Sequence, residues 1–242
     1  MTNTDKTGKR PGRSTKAEAL AAELNCQAAD NRDVAEQCDL IFLGVKPQMI
    51  AGVVKKLAGD IAGSDAIFVS MLAGTSLERL AELLGADKKI IRIMPNTPAS
   101  VGKGVMLLAR SEAVTEENFA AFQQIISGCG RLVPMSEHML DIATPVSGCS
   151  PAFVYMFIDA LADGGVQIGV PREQARILAA QTVLGSAAMV LESGIHPGEL
   201  KDNVCSPAGS TIAGVEKLEE HAFRYAVAQS IVAAYERNCQ LG

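Results

Sequence analysis

The chain has 242 residues, 48% hydrophobic, 20% charged and only 4% aromatic, with a formal net charge of -5 at neutral pH. That is enough apolar material for one or two globular domains with buried cores, and the acidic balance excludes a nucleic-acid surface, which needs clustered Lys and Arg with stacking rings. The exception is a short basic arm from Lys6 to Lys16. No uninterrupted apolar run reaches the roughly eighteen residues of a membrane span, and the polar N-terminus lacks a secretory-type apolar stretch, so no membrane partner and a cytoplasmic location are expected. Six cysteines, at 26, 38, 129, 149, 205 and 239, show neither CxxC spacing nor the density of a disulfide scaffold, so they read as reduced thiols. His138, His196 and His221 have no Cys or carboxylate at ligand spacing, and no metal is expected.

In chain order, the opening MTNTDKTGKRPG is polar and rich in turn formers, and it is expected to be poorly ordered. From Lys16 to about Pro134, short apolar runs alternate with helical stretches, the pattern of a parallel sheet flanked by helices. Strands are expected at 40–45, 66–70 and 89–94, each too short and too uniformly apolar for a surface helix, and further strands at 105–109 and 131–135 with a helix from Glu116 to Ser127 between them. From Pro151 onward no strand is expected. PAFVYMFIDALADGGVQIGV, PREQARILAAQTVLGSAAMVLESG and STIAGVEKLEEHAFRYAVAQSIVAAYERN each read as helix, with Pro171 at a start and Gly194 and Gly198 at breaks. The boundary falls near Met139, giving an α/β domain over 1–138 and an all-α domain over 139–242. Ala160, Leu161, Ile177, Leu178, Val183, Leu184, Met189, Val190 and Leu191 leave the last helices apolar around much of their circumference. Interleaving with a second copy would cover these faces, and a compact monomeric bundle is the alternative.

Open parallel sheets bind ligands beyond the carboxyl ends of their strands, so the loops there are the places to inspect. They are Gly44-Val45-Lys46-Pro47, Met71-Leu72-Ala73-Gly74-Thr75 and Pro95-Asn96-Thr97-Pro98. Small residues there let backbone approach a flat ring, and Asn96 can offer its amide to a carboxamide or ribose. Each loop by itself also reads as an ordinary strand-to-helix turn. In the helical half, KDNVCSPAGSTI at 201–212 sets a turn of small hydrogen-bonding residues ahead of a helix, where free N–H groups and the helix dipole favour an anion. An ordinary N-cap built by Ser210 or Thr211 accounts for the same residues.

Three motifs in order, MPNTP at 94–98, VSGCSPAF at 146–153 and HPGEL at 196–200 leading into SPAGST at 206–211, resemble the pyrroline-5-carboxylate reductase family, and the resemblance runs from about Arg13 to Leu241. It implies a Rossmann-like parallel-sheet domain followed by an all-α substrate and dimerisation domain, with larger ring assemblies in some members. It also implies an NAD(P)H-dependent reduction of the cyclic imine 1-pyrroline-5-carboxylate to L-proline. In the family Asn31 lies near the adenosine ribose, while Val45, Lys46, Pro47, Leu72, Ala73, Gly74 and Asn96 line the nicotinamide and its ribose. Arg13, Ser14 and Lys16 fall where the adenosine end is read, and their basic and hydroxyl groups favour NADPH, with NADH as the alternative. For the substrate, the N–H groups of Gly209, Ser210 and Thr211 with the Ser206 hydroxyl would hold the carboxylate, and Thr211 Oγ1 would meet the ring nitrogen as the catalytic group.

The chain departs from the family at two places. Ala208 stands where a second consecutive glycine is usual, which matters if that position needs a positive φ. The strand, G-x-G-x-x-G loop, helix and second strand that precede the matched segment in the family are not found here, and Gly128-Cys129-Gly130 is no substitute because it leads from a helix into a strand. A second reading follows: a non-catalytic dimeric subunit or metabolite-binding protein that has lost cofactor binding. A β-hydroxyacid dehydrogenase is disfavoured, because those enzymes use a lysine on a long helix and no lysine lies between Pro151 and Lys201.

Overall fold

The structure is a computed structural model that describes residues 15–241. These residues divide into two compact units, one ending at Ile142 and the other spanning Ala143–Leu241.

The first unit contains helices α1 (Thr15–Leu24), α2 (Asn31–Gln37), α3 (Ile50–Lys56), α4 (Ala58–Ala62), α5 (Leu77–Leu84) and α6 (Glu116–Ile126), and strands β1 (Leu40–Leu43), β2 (Ile67–Ser70), β3 (Lys89–Met94), β4 (Gly104–Arg110) and β5 (Gly130–Pro134). The strands form one sheet in sequential order β1 to β5. The first three are mutually parallel, and β4 and β5 are parallel to each other. The expected wholly parallel sheet is corrected at one step: β4 runs antiparallel to β3, with Ile93 opposite Leu108. Only residues 95–103 join these strands, too few for the crossover of a dozen or more residues that a parallel neighbour requires.

Both sheet faces are buried, which is why its central strands read as continuous apolar runs rather than alternating ones. Phe68 and Ile90 point to one side and pack with Ile50, Val54, Leu80 and Leu84 of α3 and α5. Ile67, Val69, Ile91 and Ile93 point to the other, against Phe119, Phe122 and Ile126 of α6. The helices start where hydroxyls cap them: Ser76 Oγ accepts the Arg79 N–H at 3.1 Å, and Thr115 Oγ1 accepts that of Asn118 at 3.1 Å. Gly130 begins β5 opposite Gly104, and a Cβ there would run into the Gly104 backbone. Glycine at 130 thus serves close strand packing, where a side chain could not fit.

Helix α7 (Glu137–Thr144) straddles the division between the units. The second unit continues through a π-helical turn at Pro145–Cys149 into α8 (Ser150–Gln167), α9 (Arg172–Ser193), α10 (Pro197–Asn203), α11 (Ser210–Glu220) and α12 (Phe223–Leu241). Pro171 is the N-cap of α9, and Gly194 closes it in the left-handed region at φ 66°. Two expectations are corrected. Gly198 lies inside α10, which starts at Pro197 and is capped by His196, whose Nδ1 accepts the Gly198 N–H at 3.0 Å. The last predicted helix is two, divided at Ala222 with φ 55°.

Helices α8 and α9 form an antiparallel-type pair whose buried side chains are small, Ala162, Ala175 and Ala179. The larger apolar side chains stay outside, among them Met156 at 73%, Ile177 at 62%, Leu184 at 53% and Leu191 at 70% exposed. The continuous helical stretch Glu137–Gln167 and α9 are each long and apolar enough to cross a membrane by length and composition, with 11% of the relevant window buried in each. The absence of an uninterrupted apolar run does not prevent this, because scattered glycines, alanines and a few charges still leave a high mean hydropathy over a helix.

Candidate functional site

Because β1, β2 and β3 are parallel, the loops after them share one edge of the sheet. After β1, Gly44 N–H donates to the Phe42 carbonyl at 3.1 Å, and Lys46 caps the short 3-10 turn Pro47–Met49 with its own side chain exposed. Asn31, the first residue of α2, shares with Gly44 and Val45 a cleft of about 110 Å³ whose other walls are apolar, including Ile41, Phe42 and Val54. After β2, Ser70 Oγ accepts the Leu72 N–H at 3.3 Å and Gly74 takes φ 70°. Leu72 is buried and belongs to the core, so only its backbone can meet a ligand, while Ala73 and Gly74 are exposed. After β3, Asn96 Oδ1 accepts the Val105 N–H at the start of β4, at 2.9 Å. The structure therefore brings Val45, Lys46, Pro47, Leu72, Ala73, Gly74 and Asn96 onto one edge.

Lys16 is exposed on α1. Arg13 and Ser14 lie outside the described residues. At Gly44 an added Cβ would meet nothing within 4 Å, so backbone there is open to a flat group, and the Asn96 amide and the Lys46 cation are suited to a polar, phosphate-bearing molecule. The residues of this edge fit a flat, polar portion of a dinucleotide. A larger cleft of about 670 Å³ opens at the other edge, lined by Glu36, Asp39, Asp60 and Asp65 against the single cation Lys89. Its acidic wall repels phosphate. The Asp65 carboxyl is held below its ordinary range by the hydrogen bond and charge of Lys89, at 2.9 Å, which commits that lysine to its own neighbour.

In the second unit, the turn 206–211 has a geometry the sequence left open. Ala208 adopts φ 59°, the left-handed region that glycine favours. The Gly209 N–H donates to the Ser206 carbonyl at 3.0 Å, so it closes the turn on itself instead of facing outward. Gly209 is the N-cap of α11 and no side chain caps this helix, which removes the ordinary capping role for Ser210 and Thr211. The first-turn N–H groups, those of Ser210, Thr211 and Ile212, lie at the positive end of an eleven-residue helix. Ser206, Ser210 and Thr211 are all exposed. A Cβ on Gly209 would displace the Ser206 hydroxyl and come within 3.1 Å of its carbonyl, so glycine there lets Ser206 keep its place in the turn. Upstream, Lys201 is bonded to Asp202, which raises its pKa above the ordinary value and ties its charge down.

His196 acts as a helix cap and takes no place in this turn. Ser147, Gly148 and Cys149 sit in the π-helical turn. Among the described residues no group of three or more His, Cys, Asp or Glu side chains is placed to hold a metal ion, and the six cysteines are free. One unexpected feature is a buried arginine in β3: Arg92, 2% exposed, bonded to Glu137 and to Asp141 at 2.9 Å. Its signal in the sequence is a single charge inside the apolar run KIIRIM.

Comparison with known proteins places this geometry. A family described as pyrroline-5-carboxylate reductase dimerisation matches residues 137–241, and one described as NADP oxidoreductase, coenzyme F420-dependent, matches residues 9–74. The chain is 44% identical over 227 residues to a pyrroline-5-carboxylate reductase of Escherichia coli, covering 93% of this chain and 84% of that protein. It is 43% identical to the soybean (Glycine max) enzyme of the same name, covering 87% and 76%. The crystal structure of the Plasmodium falciparum pyrroline carboxylate reductase with NADP bound superimposes with a TM-score of 0.79 at 35% identity, covering 88% of this chain and 80% of that one. The Coxiella burnetii pyrroline-5-carboxylate reductase gives 0.86 at 29% identity, covering 95% and 86%. With relatives of this identity matched over most of both lengths, and its helical half matched by the dimerisation family, the chain belongs to the pyrroline-5-carboxylate reductases.

Proposed function

We propose that this chain reduces 1-pyrroline-5-carboxylate to L-proline with NAD(P)H, the last step of proline biosynthesis. The observation that carries the reading is the uncapped start of α11 behind the exposed Ser206–Thr211 turn, in a chain 44% identical to a named reductase. A five-membered cyclic imine with one carboxylate needs that carboxylate anchored and its ring nitrogen held while the imine carbon is reduced. The anchor is the first turn of α11, through the N–H groups of Ser210 and Thr211 and the Ser206 hydroxyl. Gly209 contributes by shape: its N–H holds the turn closed, and its missing side chain leaves room for Ser206.

Thr211 Oγ1 holds the ring nitrogen. A hydroxyl both donates and accepts, so it can orient the nitrogen in either protonation state without adding charge to the site. The nicotinamide supplies the hydride when bound. The chain's part on that side is to present the backbone of Val45, Lys46, Pro47, Leu72, Ala73 and Gly74, with the Asn96 amide, to the ring and its ribose. Asn31 would face the adenosine ribose. Lys16, with Arg13 and Ser14 preceding it, favours the 2′-phosphate of NADPH over NADH. The exposed apolar stripes of α8 and α9 support a homodimer through the helical unit, and a ring of dimers is compatible with it. Burial against a second copy also gives the two apolar helices a use that needs no membrane.

The test is NADPH oxidation at saturating 1-pyrroline-5-carboxylate by wild-type protein and by Thr211→Ala and Thr211→Ser. The alanine variant should lose on the order of 10²-fold in kcat, and serine should restore most of it. Unchanged kcat in a folded Thr211→Ala protein removes the role from Thr211. A folded oligomer that neither binds NADPH nor turns over is the non-catalytic subunit instead.

A further inference from the structure

The buried Arg92 is the least expected charge in the first unit. It lies in β3 with Ser70 as its register partner in β2, 2% exposed and flanked by apolar core on both faces. Its guanidinium is shared between Glu137 and Asp141 of α7, and Glu137 does a second thing. The same carboxylate oxygen, Oε1, accepts the Leu77 N–H at 2.6 Å, across sixty positions of sequence. Leu77 is the first residue of α5, so its N–H has no partner within the helix. The start of α5 is thus fastened twice, locally by Ser76 and remotely by a carboxylate that Arg92 holds in place.

What these fasteners bracket is the loop 71–75. At its leading end Ser70, buried and paired to Arg92 in the sheet, accepts the Leu72 N–H. At its trailing end Leu77 is tied to Glu137. Inside the loop the one backbone bond, Thr75 N–H to the Leu72 carbonyl, is long at 3.4 Å, and Ala73 and Gly74 are exposed. Beyond the burial of Leu72 and Thr75, the loop has little of its own to keep the shape of Ala73 and Gly74. We propose that Arg92 and Glu137 form a positioning strut that sets the backbone of Leu72, Ala73 and Gly74 for the dinucleotide, so that cofactor affinity depends on an ion pair that never touches the cofactor. The inference rests on the reading of this loop as part of the cofactor edge. An ion pair suits the task because the planar guanidinium presents its donors at fixed directions, one nitrogen to Glu137 and the other to Asp141, so both carboxylates are held by one rigid group. A misplacement of about 1 Å in such a loop is enough to weaken a site tenfold or more.

The experiment uses the full chain and four variants. Glu137→Ala removes the acceptor, Arg92→Met removes its holder, Glu137→Gln keeps an oxygen for the Leu77 N–H, and Asp141→Asn alters the branch of the network that does not reach α5. Two quantities are read: amide hydrogen exchange over residues 73–77 without cofactor, and the NADPH Kd from nicotinamide fluorescence. Glu137→Ala should speed exchange at Leu77 and in the loop and raise the Kd about tenfold, with the KM for the imine unchanged. Glu137→Gln should stay within about threefold of wild type, and Asp141→Asn within about twofold. Should Arg92→Met fail to fold, Glu137→Ala decides alone, since that side chain is partly exposed. Exchange equal to wild type in Glu137→Ala overturns the strut. Faster exchange with an unchanged Kd overturns its service to the cofactor. A wild-type chain that binds no NADPH overturns the assignment of the loop itself, an outcome the exchange data keep separate from the first two.

Discussion

Asn96 ties the loop after β3 to the strand that follows it, its Oδ1 accepting the Val105 N–H at 2.9 Å. The bond turns a residue expected to face a ligand into one that also shapes its own loop, since the oxygen end of the carboxamide is fixed to β4 and the orientation of the amide follows. Asn96→Ala leaves the Val105 N–H without its acceptor in a partly buried place, a loss of about 1–3 kcal/mol in a urea titration. Asn96→Asp keeps the acceptor and should hold stability near wild type, yet it loses the donor and adds negative charge, so NADPH should bind at least several-fold more weakly. Equal NADPH affinity in Asn96→Asp would mean that the amide serves the loop alone.

Gly209 offers a prediction on the substrate side. A methyl group there meets the Ser206 hydroxyl and crowds the Ser206 carbonyl that the Gly209 N–H closes on. Gly209→Ala must open the turn or drive Ser206 away, and either change moves the anion-binding N–H groups. The KM for 1-pyrroline-5-carboxylate should rise by about tenfold or more while the NADPH Kd stays unchanged. A rise in both together would place the turn outside the substrate site.

Ala208 carries the strain in the same turn. An L-residue in the left-handed region costs roughly 1–2 kcal/mol, and glycine offsets part of that gain by its greater freedom in the unfolded chain. With φ at 59°, Ala208→Gly should therefore raise stability by about 0.5–1 kcal/mol, read as a higher urea midpoint with the slope unchanged. A lower midpoint would show that Ala208 does not hold this conformation in solution.

How far the sequence foretold all this depended on what kind of information each feature needs. Strands such as Ile67–Ser70 were legible because burial on both faces leaves an unbroken apolar run. The direction of β4 was not, since VMLLA reads alike either way, although the shortness of the connection 95–103 carried the answer. The break at Ala222 was hidden because no glycine or proline marks it. At the candidate site, the loops and the 206–211 turn could be found from local composition, which is what loops and helix starts are made of. That Gly209 spends its N–H on Ser206, or that Glu137 reaches Leu77, depends on where the backbone goes, and pairs separated by sixty positions leave no local pattern.

The helical unit yields the last prediction from a spacing. Ile177, Leu184 and Leu191 lie seven residues apart on α9, at 62%, 53% and 70% exposed, and so form a stripe along one side of a 22-residue helix. The same helix buries only Ala175 and Ala179, against α8. A helix with its small residues turned inward and its large apolar ones outward has its main packing surface facing away from its own unit. In an oligomer that stripe would meet its counterpart, and each leucine or isoleucine fully buried there contributes about 1.5–3 kcal/mol. Leu184→Glu would place a charge in the middle of it. By light scattering after gel filtration at micromolar concentration, the wild-type chain should run as a dimer or larger and Leu184→Glu as a smaller species, while Gln124→Glu, at an exposed polar site on α6 of the first unit, should change nothing. If Leu184→Glu keeps the wild-type assembly, α9 is not the contact, and the exposed face of α8 around Tyr155 and Met156 becomes the surface to alter next.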